Sequence, residues 1–216
     1  MTVLIELLIF DCDGVLVDSE RLSHGVLQQM LAELGVTLSF DATVERFIGS
    51  SLPVCMARVS ELLGGTPPED FVERFGQRTR AAFEAGLVAV RGVEPLLDLL
   101  LTPFCVASNG NRKKVEFTLG HTGLLPRFAG RIFTADDVVH PKPAPDLCLH
   151  AARSLGETPQ RRTVVEDTPT GIAAAKAAGM RAIGFAAMTP RPCLAAAGAD
   201  ALVDSMDELQ ALLAAG

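Results

Sequence analysis

"IFDCDGVLVDSE" (residues 9–20) follows directly on the apolar run "VLIELLIF" (residues 3–10). Four carboxylates, Asp11, Asp13, Asp18 and Glu20, fall within residues 11–20. The apolar run reads as a strand buried on both faces. The acids begin where that strand ends. In open parallel α/β sheets, ligands bind outside the carboxyl ends of the strands. Asp11 and Asp13 are therefore placed as candidates for a site, and alternation along an extended chain puts both on one face. Gly14 lets the backbone turn sharply into the loop.

Further strand-like runs follow at "FCVAS" (104–108), "RIFTA" (131–135) and "RTVVED" (162–167), with shorter ones at "RAIGF" (181–185) and "ALVDS" (201–205). Helix-length segments separate them at 92–101, 111–123, 143–155, 169–179 and 206–214. This alternation predicts an α/β fold with a parallel sheet covered on both faces. Residues 17–90 break the alternation. They hold four helical stretches, "ERLSHGVLQQMLAELG", "FDATVERFIG", "LPVCMARVSELLGG" and "PEDFVERFGQRTRAAFEAG", each closing at or near glycine. About 70 such residues are too many for a crossover, so an inserted helical domain is expected. The expected division is a discontinuous core, 1–16 and 85–216, around a helical domain at 17–84.

Composition narrows the function. The 216 residues are 49% hydrophobic and 21% charged, with net charge −7 and a pI near 5.1. This is globular material without the basic face that nucleic-acid binding requires. Local basic clusters still suit one small anion. No run of 18 uncharged apolar residues is present, so no membrane span is expected. The first apolar run contains Glu6, lacks a basic flank and does not read as a signal peptide. Five cysteines at 12, 55, 105, 148 and 193 show no CxxC spacing, which predicts free thiols in a reducing cytoplasm and no cysteine zinc site. The four histidines form no metal spacing.

The residues behind the other strands complete a set. Ser108, Asn109 and Gly110 follow the second strand, Lys142 lies in "HPKPAPD" behind the third, and Glu166 and Asp167 end the fourth. Ser108 follows Asp11 by 97 positions, Lys142 follows Ser108 by 34, and Asp167 follows Lys142 by 25. The last two steps are one β-α unit each, and the first is such a unit plus the insertion. All four groups should meet at one edge of the sheet. Clustered carboxylates need a counter-charge, and an oxygen-only donor set suits Mg²⁺ between Asp11 and Asp167. Lysine, hydroxyl and loop amides hold a phosphoryl group, and a carboxylate can attack phosphorus. Asp11 would attack, and Asp13 would protonate the leaving oxygen and then activate water.

Each piece alone has a plainer reading. "DCDG" fits a turn or a calcium loop, "SNG" a strand-to-helix turn, and Lys142 between prolines a rigid surface loop. Glu166 and Asp167 fit a helix N-cap, "NRKK" (111–114) a solvated first turn, and Asp18 either a brace to the site or the cap of the first inserted helix. Their joint occurrence, in order and each at a strand's carboxyl end, outweighs these readings.

Four ordered motifs, "DCDGVLVDS" (11–19), "ASNG" (107–110), "PKPAPD" (141–146) and "VVEDTPTGIAAAKAAGM" (164–180), make the chain resemble the haloacid dehalogenase superfamily over essentially its whole length. The resemblance is to the capped phosphatase branch. It implies a Rossmann-like parallel core with an inserted α-helical cap that closes over the site and selects substrate. It implies Asp11 as nucleophile, Asp13 as acid/base, and Ser108, Asn109 and Lys142 as phosphate ligands. Mg²⁺ would be held by Asp11, Asp167 and the Asp13 backbone carbonyl, with Glu166 and Asp18 behind them. An acid at position 13 favours phosphate esters over haloacids. The implied substrates are small phosphorylated metabolites, sugar phosphates and phosphosugar acids such as 6-phosphogluconate, handled by a monomer with no nucleic-acid or membrane partner.

The neighbouring β-phosphoglucomutase subgroup fits less well. Its histidine is replaced by Ser23, with His24 one position off, and "GSSLP" (49–53) lacks its arginine. The basic residue expected after the Ser108 turn is displaced, since Asn111 precedes Arg112, Lys113 and Lys114. Arg46, Ser50, Ser51, Arg58, Arg78 and Arg80 are candidates for selecting the leaving group. A phospho-accepting receiver module is the non-enzymatic alternative, but its acceptor aspartate comes from a later strand and it carries no insertion.

Overall fold

Leu7–Phe10 forms β1, a short strand with all four side chains buried. The computed structural model describes residues 5–50, 52–156 and 161–215. Residues 3 and 4 of the expected first strand, and Ser51, lie outside the described residues.

The chain divides into two compact units, one running to Val17 and resuming at Val88, the other spanning Asp18–Leu87. The second unit holds α1 (Ser19–Glu33), α2 (Phe40–Phe47), α3 (Leu52–Leu63) and α4 (Phe71–Gly86). Its own core contains Leu27, Met30, Leu31, Phe47, Val59 and Phe71. In α1, Leu27, Met30 and Leu31 recur at the three- and four-residue spacing that puts side chains on one helical face. Ser39 starts α2 by accepting from the Ala42 N–H at 3.1 Å.

The first unit carries the remaining elements. α5 (Val93–Leu99) leads to β2 (Phe104–Ser108), α6 (Arg112–His121) to β3 (Ile132–Thr134), and α7 (Asp146–Ser154) to β4 (Arg162–Glu166). α8 (Pro169–Ala177), β5 (Arg181–Phe185), α9 (Arg191–Ala196), β6 (Ala201–Val203) and α10 (Met206–Ala215) complete it. The six strands are all parallel, in the order β3-β2-β1-β4-β5-β6. β1 thus lies between β2 and β4, with Phe10 opposite Val106 on one side and Val165 on the other. The chain reverses its direction of travel across the sheet at β1, which is where such sheets bind ligands.

The core beneath this edge is built from Leu7, Ile9, Cys105 and Val164 of the strands and Leu147, Ile172 and Ala175 of the helices. Each fully buried Leu or Ile contributes about 1.5–3 kcal/mol. The small residues of α8 allow it to lie close on the sheet.

Three elements differ from the sequence-based expectation. α7 starts at Asp146, three residues later than 143, because Pro141, Pro143 and Pro145 hold the residues before them out of the helical region. The freed loop is the one that carries Lys142. α9 was not expected; it is a six-residue turn of helix behind Pro190. The second unit extends to Leu87, beyond residue 84, because α4 runs through to Gly86.

Candidate active site

The site is assembled at the carboxyl end of β1. Asp11 is the first residue past the strand, and its N–H still donates to the Val165 carbonyl at 2.9 Å. The chain then folds on itself. Leu16 and Val17 donate to the Cys12 carbonyl, and Gly14 N–H donates to Val17 O at 2.9 Å. Gly14 has φ +74°, and a Cβ there would overlap the Asp167 carboxylate. Only glycine satisfies both conditions. Cys12 points toward α6, where its Sγ lies 3.7 Å from Thr118 Oγ1.

Lys142 is the centre of the cluster. Its buried ammonium donates to Asp11 Oδ1 at 2.7 Å, to the Ala107 carbonyl at 2.6 Å, and to Glu166 Oε1. An ammonium has three N–H donors, and all three are engaged. The lysine expected at the phosphate thus also joins β1, β2 and β4. Burial by itself would lower the Lys142 pKa, but the charges of Asp11 and Glu166 hold it well above the ordinary lysine range. The plainer expectation of a surface loop is overturned.

Asn109 is tied to the same loop. Its side-chain amide grips the backbone of Lys142 at two points, donating to Lys142 O and accepting from Lys142 N–H, each at 2.9 Å. Its side chain thus positions the lysine loop. Ser108, buried at the end of β2, has its Oγ fixed by the Gly110 N–H at 3.1 Å.

Glu166 and Asp167 are both buried, and neither is the cap of α8. That position is Thr168, whose Oγ1 accepts from Gly171 N–H at 3.1 Å and donates to Glu166 Oε2 at 3.2 Å. A Cβ at Gly171 would overlap the Glu166 carboxylate, so the glycine in "TPTG" makes room for the acid. Asp18 heads the helical unit, where its carboxylate accepts from Arg21 Nε at 3.3 Å. It occupies the N-cap position of α1 without a side-chain capping bond, which overturns the capping alternative.

Asp11, Glu166 and Asp167 each offer one oxygen within 4.8 Å of the other two. Burial pushes the Asp11 carboxyl up to about 8, with Glu166 and Asp13 adding to the rise and Lys142 opposing it. Three buried acids against one ammonium leave excess negative charge, which is the condition a bound cation relieves. The all-oxygen donor set suits a hard divalent ion. Neighbouring Cys148 is held neutral, since burial pushes its thiol up to about 11.

The sequence model of the haloacid dehalogenase-like hydrolases matches residues 5–179. The chain belongs to this family. It is 32% identical over 184 residues to the 6-phosphogluconate phosphatase of Escherichia coli, covering 85% of this chain and 83% of that protein. A haloacid dehalogenase-like protein of unknown function from Agrobacterium tumefaciens superposes with a TM-score of 0.92 at 35% identity, over 98% of each chain. A family hydrolase from Deinococcus radiodurans, crystallised with phosphate and sodium, superposes with a TM-score of 0.83 at 31% identity, over 99% of this chain and 97% of its own. Family membership removes the receiver-module alternative. Among the described residues no helix is long and apolar enough to cross a membrane.

One contact was missed from sequence. Lys114 Nζ donates to Asp13 Oδ2 at 2.8 Å. The basic residue is displaced along the chain, but one helical turn brings it back to the site. The available signal was Asn111, whose Oδ1 accepts from Lys114 N–H at 2.9 Å and so starts α6 there. Arg112 turns away, to Asp137 at 2.7 Å and the Ile132 carbonyl at 3.2 Å. Asp136 and Asp137 form the expected turn before the lysine loop.

In the helical unit, Arg58 donates to the Arg46 carbonyl and to Ser50 Oγ, the latter at 2.5 Å. Arg78 pairs with Glu33 at 2.5 Å and Arg80 with Glu84 at 2.9 Å. All five cysteines are free, four of them buried.

Proposed function

We propose that this chain, a phosphoric monoester hydrolase of the haloacid dehalogenase-like family, acts on sugar phosphates and phosphosugar acids such as 6-phosphogluconate through an aspartyl-phosphate. The observation that carries the reading is the Lys142 ammonium shared by Asp11 and Glu166, beside Asp167, at the carboxyl end of β1. The likeness to the 6-phosphogluconate phosphatase supports the substrate class.

In this reading an Asp11 carboxylate oxygen attacks phosphorus. The Asp11–phosphorus bond forms as the bond to the ester oxygen breaks. That oxygen takes a proton from the Asp13 carboxyl and departs as the alcohol. Water then attacks the phosphorus, Asp13 takes its proton, and the Asp11 carboxylate is released together with inorganic phosphate. Lys142 holds Asp11 in line and offsets its charge. The Ser108 hydroxyl and the Asn109 backbone N–H bind phosphoryl oxygens. Asp11, Asp167 and the Asp13 carbonyl would hold Mg²⁺, with Glu166 and Asp18 as support. When bound, the ion supplies positive charge for the transferring phosphoryl group. Choice among esters is assigned to the helical unit, acting as a cap domain. A monomer in a reducing cytoplasm suits the acidic composition and the free cysteines. Phosphomutase chemistry has less behind it, given Ser23 and "GSSLP".

The test is phosphate release from a panel of phosphorylated metabolites, with Mg²⁺, with EDTA, and with Asp11→Asn. Metal-dependent release that disappears in the variant is expected. Retained release in Asp11→Asn would sink the covalent mechanism, and isomer formation without phosphate would point to a mutase.

A further inference from the structure

Lys114 is held at both ends. Its N–H is the donor captured by the Asn111 cap at 2.9 Å, and its Nζ lies 2.8 Å from Asp13 Oδ2. Its stem passes over Gly110, where a Cβ would come within 3.5 Å of Lys114 Cδ and 3.3 Å of Val115 Cγ2. The start of α6 is itself tied down, because Arg112 N–H donates to Asp136 Oδ2 at 2.9 Å and its guanidinium grips Asp137. The turn that carries Asn109 to the Lys142 loop thus also carries a second lysine to Asp13.

Solvent access to Lys114 limits what the pair adds to stability. The Lys114 side chain is 42% exposed and that of Asp13 17%, and partly exposed ion pairs contribute little to folding. What the contact does provide is orientation of a short side chain that must meet a leaving oxygen.

We infer that Lys114 is a positioning residue for Asp13: by holding Oδ2, it aims Oδ1 to deliver the proton to the departing ester oxygen. The inference rests on the acid/base reading of Asp13 given above. The step is the first half of the reaction. The phosphorus–oxygen bond breaks, its electron pair stays on the leaving oxygen, and the proton on Asp13 Oδ1 moves to that oxygen, leaving Asp13 as the carboxylate. Lys114 keeps its own proton throughout. Correct placement matters because a general acid contributes only when it lies within hydrogen-bond reach of the atom it protonates.

The test exploits leaving-group chemistry. A sugar alkoxide needs a proton to depart, whereas p-nitrophenolate does not. kcat/KM, which reports steps up to that departure, is measured for Lys114→Met, Lys114→Arg and Asp13→Asn on 6-phosphogluconate and on p-nitrophenyl phosphate. Urea denaturation checks folding. Lys114→Met is expected to lose about 10–100-fold on the sugar ester, part of the 10²–10⁴ available to a general acid, and far less on the aryl ester. Lys114→Arg should recover part of the loss, and adding Lys114→Met to Asp13→Asn should cost nothing further. A loss in Lys114→Met that is equal on both esters, or no loss, overturns the inference while Asp13→Asn still discriminates between them. If Asp13→Asn itself fails to discriminate, the acid/base reading falls and the inference with it.

Discussion

Replacing Lys142 by Met keeps most of the length of the side chain and removes its charge. In the structure that charge serves two buried carboxylates and one carbonyl: Asp11 at 2.7 Å, Glu166, and Ala107 O at 2.6 Å. Breaking a buried ion pair by removing one partner costs about 3–5 kcal/mol, because the other charge is left uncompensated. Here two acids are left, so the upper end of that range applies. For a chain of this size about 5 kcal/mol corresponds to a lowering of Tm on the order of 10–20 °C. The effect should depend on pH. Without Lys142, the folded pKa of Asp11 is raised still further above its unfolded one, because the lysine no longer opposes the effect of burial. Such a group contributes stability that is fully present below the unfolded pKa and lost as pH rises through the folded pKa. Asp11 is already held up to about 8 with the lysine present. The variant should therefore approach the wild type near pH 5 and fall furthest below it at pH 8 and above. Urea denaturation in EDTA at pH 5 and pH 8 measures this. Adding Glu166→Gln to Lys142→Met should restore part of the loss at pH 8. A loss under about 1 kcal/mol at pH 8, the size of an exposed pair, would refute the buried-clamp reasoning.

Gly14→Ala places a Cβ on the Asp167 carboxylate at φ +74°. It should cost about 1–3 kcal/mol of stability and most of the activity, read by thermal denaturation and phosphate release. Asn109→Ala removes both bonds to the Lys142 backbone. A loss of about 1–3 kcal/mol is expected, together with faster hydrogen exchange at the Lys142 amide than in the wild type. Divalent-ion binding to the metal-free protein should tighten as pH rises toward about 8, because Asp11 must give up its proton. Mg²⁺ titration by calorimetry in two buffers of different ionisation enthalpy should show proton release below that pH, and none in Asp11→Asn.

Much of the site was legible because the signals are local. Apolar strands, the turn residues behind them and the acids at their ends each occupy a few consecutive residues, and strand-helix alternation gives their common edge. The partners of the Asn109 side chain and of Lys114 are not legible, for the opposite reason. Whether an amide faces a ligand or a backbone 33 positions away is settled by the partner loop, which leaves no trace in "SNG". Whether a lysine in "NRKK" meets solvent or an acid 101 positions back depends on where the cap starts the helix.

The sequence by itself determined the α/β alternation, the helical insertion and the acids, hydroxyl and lysine at the strand ends, since periodicity and turn chemistry act over short stretches. Only the tertiary structure decided which strands flank β1, and hence that Lys142 meets Asp11 across 131 positions and Glu166 across 24. Strand order follows from which crossovers bury the shared core, and that sum over the whole chain selects the partners of a buried charge.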